Sequence, residues 1–210
     1  MESYIKIKNL SKKIKNNLVL DDINLELNKG KIYGFRGING SGKTMLFRAI
    51  CGLITPTKGQ VIIDNKILHK DISFPDSIGI LIENPGFLPN YTGKKNLKLL
   101  ADIKGIIEDE QIDKIINLVG LDCNDRRKYK QYSLGMKQKL GIAQALMENP
   151  DLILLDEPTN ALDEKSIKNI LDIIVKEKEK GKTILISSHD KLSLEEVADE
   201  IINMENGRII

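Results

Sequence analysis

Tryptophan is absent from this chain, aromatic residues make up only 4% of it, and two histidines and two cysteines are spread over 210 positions. Cys51 and Cys123 stand far apart with no second cysteine near either, which excludes a disulfide framework and a cysteine-based zinc site and points to a reducing compartment. No apolar run approaches the roughly 20 residues needed to cross a bilayer, so any membrane role must come through a partner. The opening Met1-Glu-Ser-Tyr-Ile-Lys-Ile-Lys8 alternates like a strand and lacks the apolar stretch of a signal peptide. Neither sign of charge dominates. Thirty-two basic residues face 30 acidic ones for a net charge of +2, which provides no field for nucleic acid or anionic lipid. No internal repeat or low-complexity segment occurs.

What the chain does have is Gly37-Ile-Asn-Gly-Ser-Gly-Lys-Thr44. It follows the apolar run Lys31–Phe35, read as a strand, and precedes Met45–Ile50, read as the opening of a helix. That is the context of a phosphate-binding loop: glycines let the backbone curl so that successive N–H groups face phosphate oxygens, and the helix adds the positive end of its dipole. In such a loop Lys43 reaches the β- and γ-phosphates and the Thr44 hydroxyl sits on magnesium. A bare glycine-rich turn explains the glycines but not the lysine and threonine at these spacings.

Around the loop, Tyr4–Asn9 and Leu18–Leu27 predict antiparallel strands, and Asn28-Lys-Gly30 a turn into the strand before the loop. Thr55–Gly59 is a break, and Val61–Ile63 another strand. Asn65-Lys-Ile-Leu68 does not continue as an Asn-Lys-x-Asp guanine reader, which counts against a GTPase of that type. Four apolar runs share one property. Ile32–Phe35 leads into the loop, Ile78–Ile82 into Glu83, Leu152–Leu155 into Asp156-Glu157, and Thr183–Ser187 into Ser188-His189. Continuous apolar strands suit a parallel sheet covered on both faces, and ligands bind outside the carboxyl ends of such strands.

Between Pro89 and Asn149 the pattern is helical: Leu97, Leu100 and Ala101, then Ile112, Ile115, Ile116 and Val119 before Gly120, then a helix capped by Ser133 running through Leu140, Ala143 and Leu146 to Pro150. Glu164–Lys180 is an amphipathic helix stopped by Gly181, and Asn206-Gly207 predicts a closing hairpin between Ile201–Met204 and Arg208–Ile210. The expected organisation is one α/β domain over 1–210, with a core of 1–86 and 150–210 and a helical subdomain of 87–149.

Asp156 and Glu157 end an apolar strand, where a carboxylate for magnesium and a base for an attacking water belong; one carboxylate with Thr44 is enough for a metal that keeps most of its waters. Taken in order, Gly37–Thr44, Tyr132-Ser-Leu-Gly-Met-Lys-Gln138, Leu152–Glu157 with Pro158-Thr159, Asn160-Ala-Leu-Asp163 and Ser187-Ser-His189 resemble the motif series of ABC-type ATPases. The resemblance covers essentially the whole chain. It implies a P-loop NTPase fold, with a RecA-like parallel core, an antiparallel β subdomain and a helical insertion. It also implies ATP and magnesium as cofactors and a head-to-tail dimer, homodimer or pseudo-dimer, with each nucleotide lying between the phosphate loop of one subunit and the signature helix of the other.

Carried onto this sequence, Gly37, Asn39, Gly40, Ser41, Gly42, Lys43, Thr44 and Met45 look like the nucleotide-binding residues. Ser133 and Gly135 look like the signature residues that touch the γ-phosphate held by the opposite subunit. A plain N-cap is the simpler reading of Ser133 alone. Glu157 looks like the base, His189 like the switch histidine, Asp163 like the end of the D-loop, and Thr44, Asp156 and Glu83 like the magnesium ligands. His69, the other histidine, falls in a polar turn.

Several positions depart from the family. Glu83 stands where most relatives have glutamine, and a carboxylate there adds repulsion beside triphosphate. Leu134 and Met136 replace the usual glycine and glutamine, and Ile14 stands about where an aromatic usually stacks on adenine, at a loss of order 1 kcal/mol. Ile82–Phe87 together with Ser133–Gln138 is similar to ATPases of bacitracin-resistance and lantibiotic-immunity exporters, many of which extend further at the C-terminus. The leading expectation is the ATPase subunit of an exporter, cytoplasmic and held on the inner face of the cell membrane by a permease on a separate chain. Phe87, Leu88 and Tyr91 are candidates for that contact or for local core. A soluble ABC ATPase acting on nucleic acid or in translation is disfavoured by length and charge. A small-molecule kinase is disfavoured by Asp156–Asp163.

Overall fold

The computed structural model describes residues 3–83 and 85–210, the side chains of Lys191 and Ser193 excepted. Met1, Glu2 and Asn84, the last within the Ile82–Phe87 motif, lie outside the described residues.

Alternation at the start of the chain builds a hairpin of β1 (Ser3–Ile14) and β2 (Asn17–Asn28), both longer than their apolar residues suggest. β3 (Ile32–Arg36) then runs into the glycine loop, and α1 (Lys43–Ile50) starts at Lys43 rather than Met45 because Gly42, with φ 106°, already forms its N-cap. β4 (Lys58–Ile63) and the short β5 (Lys66–Ile67) complete an antiparallel sheet in the order β2-β1-β4-β5. β6 (Ile78–Leu81) leads into the helical stretch.

In that stretch α2 (Gly93–Lys104) is capped by Thr92, whose hydroxyl accepts the Lys95 N–H at 3.2 Å, and α3 (Asp109–Leu118) opens on a capping box of Glu108 and Gln111. A 3₁₀ turn, Tyr129–Gln131, precedes α4 (Leu134–Leu146), which ends four residues before Pro150. Asn149 takes a left-handed φ of 52° in the turn out of that helix. β7 (Leu152–Asp156), α5 (Glu164–Glu179), β8 (Thr183–Ser188), α6 (Lys191–Val197), β9 (Glu200–Glu205) and β10 (Arg208–Ile209) follow. The periodicity did not predict α6, which has seven residues and so spans barely two turns.

The second sheet has the order β10-β9-β3-β8-β7-β6, parallel except for β10. Its central strands β3, β7 and β8 are buried on both faces, as their apolar runs require, while β6 is half-buried and β9 and β10 are partly exposed. Tyr33, Phe35, Leu152, Leu154, Leu185 and Ile202 pack on one side with α1 and the antiparallel sheet. Ile32, Ile153, Leu155, Ile184 and Ile186 pack on the other with residues of α2 to α6. One sheet therefore serves two cores. α4 lies so close to β6 that a β-carbon on Gly79 would come within 1.8 Å of the Ala145 carbonyl oxygen.

β8 lies between β3 and β7, with Ser188 beside Arg36 and Ser187 beside Asp156. The carboxyl ends of the three strands thus converge. The glycine loop, Asp156-Glu157 and Ser188-His189 meet at one edge of the sheet.

Candidate active site

The loop after β3 is held in shape by backbone contacts that only glycine permits. Gly42 is so tightly packed that a β-carbon there would stand 3.2 Å from both the Val19 carbonyl oxygen and the Gly207 Cα. As N-cap it has no side chain to cover the first-turn N–H groups of α1, so these stay available to an anion. Lys43 is 5% exposed; its Nζ donates to the Gly37 carbonyl at 2.6 Å and the Ile38 carbonyl at 3.3 Å. The ammonium is folded over its own loop. The buried Ser41 hydroxyl has no hydrogen-bond partner among the described residues. An uncompensated buried hydroxyl is costly, and a phosphate oxygen against this loop would satisfy it.

Asp156 ends β7 almost fully buried, with both carboxylate oxygens used. The Thr44 hydroxyl donates to Oδ2 at 2.6 Å and the Ser187 hydroxyl donates to Oδ1 at 2.5 Å. Ser187 Oγ also accepts the Glu157 N–H at 3.0 Å, so one serine aligns both acids. Glu157 has a left-handed φ of 50°, which costs a non-glycine residue of order 1 kcal/mol or more. The conformation is held by that N–H bond and by Gln138 of α4, whose Nε2 donates to the Glu157 carbonyl at 3.0 Å. Its side chain turns back over the loop. Oε2 lies 2.8 Å from Nδ1 of the exposed His189, and Oε1 lies 3.7 Å from Lys43 Nζ. Oε1 is buried and has no hydrogen bond among the described residues, so a polar partner there would offset the cost of leaving it unpaired.

A cavity of about 450 Å³ runs along the loop, lined by Asn39 to Met45, Asp156 and Glu157, with Leu18, Val19, Asn206 and Gly207 closing its sides. Lys43, Thr44, Asp156, Glu157 and His189 are thereby brought together from α1, β7 and β8. Ser133 and Gly135 do not line this cavity. Ser133 caps α4, its hydroxyl accepting the Met136 N–H at 3.2 Å, and a β-carbon on Gly135 would come 2.8 Å from the Ala161 carbonyl oxygen. Asp163 caps α5 by accepting the Ser166 N–H at 2.8 Å, and hydrogen bonding from the Ser166 hydroxyl, then from that N–H, holds its carboxyl below the usual range.

The family model for ABC transporters matches residues 20–160, more than half of the chain. The chain belongs to the ABC transporter family. A Bacillus subtilis (strain 168) protein called an uncharacterized ABC transporter ATP-binding protein, YybJ, is 51% identical over 98% of this chain and 94% of its own length. The bacitracin transport ATP-binding protein BcrA of Enterococcus faecalis is 41% identical over all of this chain and 69% of its own length. Among solved structures, the dimeric ATP-binding cassette MJ0796 in a post-hydrolysis state bound to ADP and Pi superposes with a TM-score of 0.89 at 28% identity, covering 98% of this chain and 96% of that one. Within an ABC transporter this chain is the ATP-binding, ATP-hydrolysing subunit.

Against the ABC pattern, the expected metal ligand Glu83 lies elsewhere. Glu83, φ 58°, does not line the nucleotide cavity but pairs with Arg48 of α1 at 2.8 Å, its side chain 58% exposed. Arg48 stands one helical turn beyond Thr44, so the pair ties the end of β6 to α1. Ile14 also stays off the cavity wall, where Leu18 stands. Five lining or bracing residues escaped sequence reasoning: Leu18, Val19, Gln138, Asn206 and Gly207. Gln138 carried a signal, since it closes the signature motif. Asn206-Gly207 showed only as a turn, although Gly207 N–H donates to the Ser41 carbonyl at 2.9 Å and pins the C-terminal hairpin to the loop.

Proposed function

We propose that this subunit works as a head-to-tail dimer on ATP and magnesium, driving a permease on a separate chain that exports an antimicrobial peptide or a similar compound. The observation that carries the reading is the single Glu157 carboxylate held between His189 and Lys43 above the loop. The first-turn N–H groups of α1, the Ser41 hydroxyl and Lys43 bind the phosphates. Lys43 exchanges its loop carbonyls for phosphate oxygens. Thr44 and Asp156 present two hard oxygen ligands 2.6 Å apart, a donor set suited to magnesium, whose charge when bound offsets that of the β- and γ-phosphates. Glu157 takes the proton of the attacking water, and His189, as the Nδ1–H tautomer, donates to Oε2 and fixes the direction of the other oxygen.

Ser133 is exposed at the start of α4, and the positive N-terminal end of the helix it caps suits a γ-phosphate carried by a second copy. A groove of about 300 Å³ between Arg48, Leu53, Ile54, Pro85 and Gln144 supports permease docking beside Glu83. Leu88 and Tyr91 are exposed near it in sequence, whereas Phe87 stacks edge-on against Tyr129 at 5.2 Å and belongs to the packing. Among the described residues no helix is long and apolar enough to cross a membrane, which supports a peripheral place at the inner face of the membrane. The peptide cargo is supported by the likeness to a protein named for bacitracin transport.

Mixing two inactive variants tests the shared site. Lys43→Ala disables the phosphate loop and Ser133→Arg disables the opposite helix; in a mixed head-to-tail dimer one site is intact. Random pairing then restores roughly a quarter of wild-type turnover. No restoration on mixing would mean that each chain works alone.

A further inference from the structure

We propose that Gln138 is a positioning residue for the base Glu157, and that it serves the site of its own chain although it stands in the segment whose exposed end faces the second copy. The inference rests on the head-to-tail reading above and deepens it.

Glu157 is held in a conformation that its sequence opposes. Its φ of 50° is left-handed, and the residue after it is Pro158, which favours an extended backbone in the residue before it. Such a conformation persists only where the surroundings fix both ends of the residue. The Glu157 N–H is fixed by β8, donating to the Ser187 carbonyl at 3.2 Å and to Ser187 Oγ at 3.0 Å. The Glu157 carbonyl accepts the Asn160 N–H at 3.2 Å, a bond within the same turn. It also accepts from Nε2 of Gln138, only 8% exposed, at 3.0 Å, and this bond anchors it to another element.

α4 touches that turn a second time. Ala161, also left-handed at φ 62°, sets its carbonyl oxygen so near Gly135 that a β-carbon there would stand 2.8 Å away. The segment from Ser133 to Gln138 thus has two ends with two duties. Ser133 is exposed at the helix start, where a second copy can reach it, whereas Gln138 is buried against the base of its own chain. Losing the Gln138 bond frees the carbonyl side of Glu157 to relax toward the backbone that Pro158 favours. The carboxylate between His189 and Lys43 then swings from its place, and a displacement of about 1 Å at a reacting group costs on the order of 100-fold in rate. The phosphate contacts of the loop do not pass through Gln138, so binding is spared.

Gln138→Met keeps the length of the side chain and removes the donor; Gln138→Glu keeps the size and replaces the donor by an acceptor. Each should lower kcat by about tenfold or more, with the ATP dissociation constant, by calorimetry on the full chain, within roughly threefold of wild type. The mixed dimer of Lys43→Ala and Ser133→Arg chains shows which site Gln138 serves. Its one working site takes loop and base from the Ser133→Arg chain and Ser133 from the other. Gln138→Met added to the Ser133→Arg chain should lower the restored turnover by about tenfold or more; added to the Lys43→Ala chain it should lower it by less than about twofold. Wild-type kcat in both variants, a loss confined to binding, or a loss that follows the Lys43→Ala chain overturns the inference. No restoration on mixing before Gln138 is touched would remove the head-to-tail reading instead, and the split between kcat and affinity would still decide whether Gln138 positions the base.

Discussion

Nδ1 of His189 lies 2.8 Å from Oε2 of Glu157, the residue that follows the buried Asp156. The two come from β8 and β7 ends that adjoin in the sheet, so their meeting is a product of strand order. With Oε2 engaged, the buried Oε1 is the oxygen without a hydrogen bond among the described residues, and its 3.7 Å separation from Lys43 places it over the loop.

His189→Ala should therefore slow turnover without weakening binding. We expect kcat to fall by about 100-fold, with the ATP dissociation constant within roughly threefold of wild type. Steady-state kinetics paired with calorimetry would show it; a loss confined to binding would move His189 out of the water-directing role.

Lys43→Ala should act in the opposite sense. A charge-assisted bond to phosphate is worth enough that its loss weakens ATP by about tenfold or more. The same substitution frees the Gly37 and Ile38 carbonyls, which Lys43 holds at 2.6 and 3.3 Å. Unaltered ATP affinity by calorimetry would contradict the assignment.

Cys51 and Cys123 should respond differently to alkylation, and burial of Cys51 should make stability depend on pH. Burial pushes the Cys51 thiol from 9.0 up to about 12. The folded chain keeps that proton where the unfolded chain releases it, so the contribution to stability is complete below pH 9 and is lost as pH rises from 9 toward 12. Iodoacetamide at mildly alkaline pH should modify Cys123 and spare Cys51 until denaturant is added. The fall in urea midpoint between pH 8 and pH 10.5 should be smaller in Cys51→Ala than in wild type; equal falls would assign the effect to other groups.

Much of this site is local in the chain and therefore legible in it. The Gly37–Thr44 loop, the Asp156-Glu157 strand end and the Ser133 cap each announce themselves within a few residues, and the apolar runs lead into the right edge of the sheet. What stayed hidden depends on register or on distant contacts. Ile14 and Leu18 are four residues apart, and only the pairing of Lys13 with Leu18 decides which of them lines the cavity along the loop. Asn206-Gly207 reads as a hairpin turn, yet its bond to Ser41 joins positions far apart in sequence. Glu83 looked like a magnesium ligand by position, but its pairing with Arg48 depends on where β6 ends relative to α1.

Gly79→Ala should fail on packing alone. Its β-carbon would lie 1.8 Å from the Ala145 carbonyl oxygen, an overlap that neither the β6 backbone nor α4 can absorb in place. A destabilisation of about 3 kcal/mol or more is expected, seen as a lower urea midpoint with the phosphate loop sequence intact. A wild-type midpoint would show that α4 is not seated on β6 as described.

The most direct measurement is ATP turnover and sedimentation of Glu157→Gln beside wild type. Removing the base while keeping the shape should lower kcat by about 100-fold or more and leave ATP bound, so that ATP, but not ADP, holds the variant as a stable dimer. Hydrolysis at the wild-type rate, or a chain that stays monomeric with ATP bound, would contradict a Glu157-driven site shared between two subunits.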